Sequence, residues 1–173
     1  VSTAFEEHLF EAALYASSNN RANIHFTISE KHKHHFDEEF KFIEDITVLH
    51  GYCDAESISS ILTKVHCGIL TSEFEGMPRF VLECLGSGRP TVAIHLPQLV
   101  DVIEDGLSGY LIERNDNDTM INNVATKICD IWKKINQGEL DANSIAKKVE
   151  HYTPQKLLSL VYGYHRKIQA NDY

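Results

Sequence analysis

The sequence predicts an α/β fold, a Rossmann-like parallel sheet with helices on both faces. Three observations point there. Short apolar runs alternate with segments of helical periodicity about five times along the chain. No hairpin signal joins consecutive runs, which leaves parallel pairing with both faces covered. A length of 173 residues, 43% hydrophobic and 24% charged, suits one soluble domain with a full core.

Each element has its own signal. Thr3 and Glu6 form a possible capping box for a first helix, with Phe5, Leu9, Ala12, Ala13 and Ala16 on one face, and Ser17-Ser18-Asn19-Asn20 ends it. Asn23 to Ser29 reads as a strand, and 35–44 as a short helix. Ile46 to His50 is a strand stopped at Gly51, after which Asp54 can cap a helix with Ile58, Ile61, Leu62 and Val65 inward. Val65 to Leu70 is the next strand. It leads through an acidic loop into a helix whose first turn suits Pro78 and whose apolar face is Val81, Cys84, Leu85 and Gly88. Gly88 is placed to stop that helix, and Pro90 leads into the strand Thr91 to Ile94. A short helix from Leu99 to Glu104, a turn at Asp105-Gly106 and a strand at Tyr110 to Ile112 follow. Three helical segments finish the chain. The first carries Ile121, Val124, Ile128, Ile131, Trp132 and Ile135 as a core stripe. The last spans about 154–169, with Leu157, Leu158, Val161 and Ile168 on one face.

Composition narrows the function classes. A net charge of −9, from 25 acidic and 16 basic residues, argues against nucleic acid and against electrostatic docking on anionic lipid. No run is long and apolar enough to span a membrane, and no signal peptide opens the chain. Cys53, Cys67, Cys84 and Cys129 form no C-x-x-C pair and read as buried, reduced thiols. The chain starts at Val1 without a methionine, and we read it as a piece of a longer protein.

The most informative segment is Ser72-Glu73-Phe74-Glu75-Gly76-Met77-Pro78-Arg79-Phe80-Val81-Leu82-Glu83. It places a helix N-terminus at the C-terminal end of a parallel strand, where such sheets bind ligands. The free N–H groups of that terminus suit a phosphate or diphosphate. Glu75 in the loop and Glu83 in the helix supply two acceptors for hydroxyl groups, which together fits a sugar nucleotide. Taken alone, the two carboxylates read better as solvated acids beside a favourable helix dipole, and only the surrounding sequence reverses that preference.

From about residue 46 to 113 the sequence resembles the C-terminal, donor-binding domain of retaining glycosyltransferases of the GT-B fold, the group 1 family. Ser72 to Glu83 is similar to that family's S-x-x-E-G-x-x-x-x-x-x-E pattern. Glu83-Cys84-Leu85-Gly86-Ser87-Gly88-Arg89-Pro90-Thr91-Val92-Ala93 is similar to E-A-M-A-x-G-x-P-V-V-A, and Asp101 to Ile112 to E-V-I-x-D-G-x-N-G-x-L-V. Val48-Leu49-His50-Gly51-Tyr52 stands in the place of its F-L-G-x-V strand. The combined spacing is far more specific than a lone pair of glutamates. The resemblance implies that Glu75 touches the transferred sugar and stabilises charge at its anomeric carbon, and that Glu83 holds the ribose. Backbone from Gly76 through Met77, Pro78, Arg79 and Phe80 to Val81 then cradles sugar and phosphates, while Gly51 and Tyr52 lie beside the base. It implies no metal and no cofactor beyond the nucleoside diphosphate sugar.

Two departures fall on the ligand edge. Ser29-Glu30-Lys31 replaces the family's G-x-G turn, and Pro97-Gln98 replaces its G-G pair, with Asp101 for its glutamate. Its first strand and basic Arg/Lys pair have no counterpart here, nor does the N-terminal acceptor domain, so this polypeptide alone is expected to be inactive.

Other residues admit two readings. Arg79 suits a phosphate or an exposed first-turn position. His95 suits a sugar contact or a structural role. His32, His34 and His35 crowd one charged loop and lack a metal-binding i, i+4 pair. Asn117-Asp118-Thr119 fits a glycosylation sequon, but a helix cap explains it better. The expected function is therefore glycosyl transfer from a nucleoside diphosphate sugar to an acceptor hydroxyl, in bacterial surface polysaccharide or lipopolysaccharide synthesis. The acceptor, a glycan or lipid-linked glycan, belongs to the absent domain. The expected location is the cytoplasm, with peripheral placement at the inner membrane face through that domain. The alternatives are a non-catalytic nucleotide-sugar module and a GT-B relative of another reaction class, such as an epimerase or phosphorylase.

Overall fold

Every described strand pair is parallel, as the absence of hairpin signals requires. The computed structural model describes residues 23–27, 47–72 and 74–159. Within them β1 (Ile24–Thr27) pairs with β2 (Thr47–His50), and β3 (Gly68–Leu70), β4 (Thr91–Ile94) and β5 (Gly109–Ile112) form a second ladder in the order β3-β4-β5. Among the described residues no ladder joins β2 to β3. The expected first helix, the 35–44 helix, Ser29-Glu30-Lys31, the loop histidines and the chain beyond residue 159 lie outside the described residues.

Helix α1 (Ala55–Leu62) starts where expected, at Asp54, whose carboxylate accepts from the Ser57 N–H at 2.8 Å. Of its apolar stripe only Leu62 is fully buried. Strand β3 is shorter than the Val65 to Leu70 run predicted. The Gly68 N–H bonds to the Pro90 carbonyl at 2.9 Å, but Pro90 has no N–H to continue the ladder backwards. Pairing therefore starts at Gly68 opposite Thr91. Helix α2 (Arg79–Gly86) lies directly on that strand: a Cβ on Gly68 would sit 2.6 Å from Cys84 Sγ.

Pro78 is the N-cap of α2 rather than a first-turn residue, with φ −71° and ψ 107°, so the helix opens one position later than expected. Gly88 ends it as predicted. At φ +70° its N–H reaches the Leu85 carbonyl at 2.8 Å, and the Arg89 N–H reaches that of Cys84 at 2.9 Å, the two bonds of a Schellman motif. Arg89 then turns back to α1, donating from Nε to the Leu62 carbonyl at 2.9 Å and from Nη2 to that of Thr63 at 3.4 Å.

The core has two layers on either side of β4, whose side chains are all buried. Ala93 faces Val81, Leu85, Leu99, Val102 and Ile145, while Val92 and Ile94 face Tyr110, Ile112, Met120, Val124 and Ile131. This is strand alternation with both faces covered. Helix α3 (Asn117–Gln137) covers one face and α4 (Ala142–Lys147) packs with α2 on the other. Trp132 is not core. It is 37% exposed and meets the His66 ring edge-on at 5.0 Å between centroids. The residue capping α3 is Asp116, not the sequon Asn117, which is the first helical residue. The helix expected at Leu99 to Glu104 is a 3₁₀ turn, Pro97–Leu99, followed by bends. Buried Ser108 takes the Glu104 N–H on its Oγ at 2.8 Å, diverting a donor that a helix would need. A last helical run, 154–159, leaves Leu157 and Leu158 exposed.

None of the four cysteines is in a disulfide, but only Cys84 is fully buried; Cys53, Cys67 and Cys129 are half-buried. Burial pushes the Cys84 thiol up to about 12 and the Cys67 thiol to about 11, so neither is a thiolate at neutral pH.

Asp54, Asp116 and Asp141 cap α1, α3 and α4, and hydrogen bonds from Ser57, Thr119 and Ser144 are the leading causes that hold their carboxyls below the ordinary 3.8. A lowered folded-state value contributes stability that is complete above 3.8 and lost as pH falls through the folded values. Acid titration followed by circular dichroism should show that loss below pH 3.8, and Asp141→Asn should diminish it.

Candidate functional site

Because β3 and β4 are parallel neighbours with Leu70 opposite Ala93, the segments leaving their C-terminal ends emerge side by side. From β3 comes the loop 71–78. From β4 comes His95-Leu96 and the 3₁₀ turn Pro97–Leu99. Among the described residues one side-chain bond joins them: Gln98 Nε2 donates to the Glu75 carbonyl at 2.6 Å. Glu75 is half-buried. Gly76 beside it is exposed, with no atom within 4 Å of where a Cβ would stand, and Met77 is also exposed. Phe74 is 90% exposed, a large apolar side chain that the motif reading left without a role.

Helix α2 opens on this loop. Pro78 provides no side-chain cap and no acid stands in the first turn. Val81 and Leu82 direct their N–H groups to the Pro78 carbonyl at 3.1 and 3.4 Å, which leaves the Arg79 and Phe80 N–H groups as the helix's outward donors. Pro78 and Val81 are buried, so a ligand could meet them only through backbone. Glu83 lies one turn further along and pairs with Arg79, Nη2 to Oε1 at 3.1 Å. Of the two readings of Arg79, the structure shows a guanidinium turned down the exposed helix face. Such an i, i+4 pair is worth only about 0.3–0.5 kcal/mol, so a ligand parts it easily.

Gly51 and Tyr52 follow β2, at the C-terminal end of the other ladder. Tyr52 is 90% exposed, and Cys53 Sγ donates to the Gly51 carbonyl at 3.3 Å. Immediately before them His50 Nε2 lies 3.0 Å from His25 Nδ1, with the rings stacked at 5.3 Å. Burial first, then the neighbouring His50 and Lys64, lowers the His25 pKa. The sequence reading missed this pair, whose members stand 25 positions apart on adjacent strands. His95 is half-buried on the site edge and lies 3.9 Å from Glu113. Among the described residues no group of three or more His, Cys, Asp or Glu side chains is placed to hold a metal ion.

The structure thus brings Glu75, Gly76, Met77, Pro78, Arg79, Phe80, Val81 and Glu83 onto one loop–helix unit, and sets Gly51 and Tyr52 on the other ladder. The sequence matches the family described as "Glycosyl transferases group 1" over residues 7–130, well over half of the chain. The chain belongs to the group 1 glycosyltransferases. Among curated proteins none matches it. Solved structures that this group 1 chain resembles include the pneumococcal O-GlcNAc transferase GtfA in complex with UDP and GlcNAc. There the TM-score is 0.76 at 20% identity, covering 94% of this chain and 33% of that one. A GtfA/B complex gives 0.78 at 21% identity, over 95% and 33%. A TarM variant of S. aureus, in complex with fondaparinux, alpha-GlcNAc-glycerol and UDP, gives 0.57 at 26% identity, over 86% and 32%. The chain spans about a third of the length of these structures, and its parallel α/β architecture is that of GT-B glycosyltransferases. Among the described residues no helix of this group 1 glycosyltransferase is long and apolar enough to cross a membrane.

Proposed function

We propose that this chain is the donor-binding domain of a retaining glycosyltransferase, taking a nucleoside diphosphate sugar. The observation that carries the reading is the uncapped N-terminus of α2, set at the end of β3 and bracketed by Glu75 and Glu83. The outward N–H groups of Arg79 and Phe80 and the helix dipole suit the diphosphate. Gly76 and Met77 lie at the sugar end of the loop. Glu75 stabilises positive charge that develops at the anomeric carbon as the bond to the leaving diphosphate lengthens. Glu83 exchanges Arg79 for ribose hydroxyls, and the released guanidinium is then free to approach a phosphate. Gly51 and Tyr52 take the base, with the exposed Tyr52 ring as a stacking surface. The leaving diphosphate is balanced by the helix terminus, without a divalent cation.

Uridine is the base to test first, since UDP is bound in the GtfA and TarM structures. The finer reading is hexosyl transfer to a glycan or lipid-linked glycan held by a second domain. The proposed setting is the cytoplasmic synthesis of a bacterial surface polysaccharide or lipopolysaccharide, at the inner membrane face where the second domain docks. Calorimetric titration of the complete polypeptide with UDP tests the site. Glu83→Ala should weaken UDP binding by about tenfold, the loss of a charge-assisted hydrogen bond worth about 1.5 kcal/mol. Undiminished affinity would remove Glu83 from the site. Retained UDP binding with no turnover of any UDP sugar would select the non-catalytic module instead.

A further inference from the structure

We infer that Gln98 is a positioning residue for the donor sugar: its carboxamide fixes the Glu75–Gly76 peptide and so aims the Gly76 N–H into the ligand space. The inference rests on the donor-site reading above, but no part of that reading assigns Gln98 a role.

The argument begins with the floor that carries Gln98. Pro97 opens the 3₁₀ turn, and Leu99, which closes it, is completely buried, with Leu96, Val102 and Ile103 buried around it. The carboxamide is therefore mounted on the core, while much of the loop it reaches is exposed. Phe74, Gly76 and Met77 are exposed, and Gly76 has open space around it. The 2.6 Å bond from Gln98 Nε2 to the Glu75 carbonyl crosses 23 positions of sequence and ties this exposed stretch to the buried one.

The geometry of the peptide bond supplies the rest. Carbonyl and N–H of one trans peptide point in opposite directions within a plane. Holding the Glu75 carbonyl toward Gln98 turns the Gly76 N–H away from the 3₁₀ turn, and a Cβ built on Gly76 would meet nothing within 4 Å beyond its chain neighbours. The same restraint limits the Glu75 Cα–Cβ direction, and with it the reach of the carboxylate. A glycine at position 98 has no side chain to make this bond, and asparagine is a methylene shorter. A glutamate has the length but, ionised, only acceptors to offer a carbonyl. The departure at Pro97-Gln98 thus replaces free backbone with an amide strut under the catalytic loop.

The test is steady-state turnover of the complete polypeptide on a panel of UDP sugars, with UDP affinity and melting temperature measured alongside. Gln98→Ala and Gln98→Glu should each lower kcat about tenfold, as loss of orientation at a reacting centre does, with UDP affinity within about twofold and melting temperature unchanged. If Glu75→Gln cripples turnover and both Gln98 variants leave it intact, the inference fails and the donor site stands. If turnover, UDP affinity and melting temperature fall together, Gln98 is merely structural and the inference also fails. A wild-type protein that turns over no UDP sugar, or one indifferent to Glu75→Gln, overturns the site reading and this inference with it.

Discussion

Glu75→Gln is expected to lower kcat by about 100-fold or more while UDP affinity stays within about twofold. Glutamine keeps the volume and a hydrogen-bonding oxygen but removes the charge. Removal of one preorganised electrostatic partner of a transition state costs on the order of 100–1000-fold in kcat. The half-buried setting of Glu75 favours the large end of that range, since screening by water is reduced. In the proposed site, ground-state binding of the nucleotide relies on Glu83, the α2 terminus and the β2 end, none of which the substitution touches. A drop in affinity equal to the drop in kcat/KM, with kcat intact, would reassign Glu75 to uniform substrate binding. The measurement is single-turnover kinetics beside UDP titration.

Gly109→Ala is expected to have the largest effect on stability, a loss of more than about 3 kcal/mol. Gly109 begins β5 at φ +152°, a conformation L residues avoid, and a Cβ there would stand 1.9 Å from the Thr91 carbonyl oxygen. The obstacle is backbone of the central buried strand and cannot rotate away. Relief requires β4 and β5 to separate along the register that pairs Thr91 with Gly109. Urea denaturation should show a much lower midpoint or no folded baseline. Gly51→Ala is the control: it has open space and no positive φ, and should shift stability by less than about 0.5 kcal/mol.

The features that local chemistry decides were readable in advance. Asp54 as a cap, Gly88 as a helix stop and the alternation of β4 follow from the side chain and its immediate neighbours. The loop–helix unit from Ser72 to Glu83 was legible because its residues are consecutive, so spacing alone brings them together. What escaped depended on partners elsewhere. Val65 to Cys67 looks like strand, but the ladder is cut off by Pro90 on the facing segment. Leu99 to Glu104 has helical spacing, but Ser108 captures a donor. The one sign of Gln98's bond to Glu75 was that glutamine stood where glycine was expected, and the sequence could not say what it touched.

Arg89 gives the molecule one more property. In the proposed site the base end follows β2 and the phosphate end follows β3, and no described ladder connects those strands. Among the described residues α1 runs between them, and Arg89 holds its end through the carbonyls of Leu62 and Thr63. In the proposed donor site, the spacing between nucleobase and diphosphate then depends on α1 and this Arg89 contact and not on a described ladder. A nucleotide bound as proposed would grip both ladders at once and act as a second tie between them.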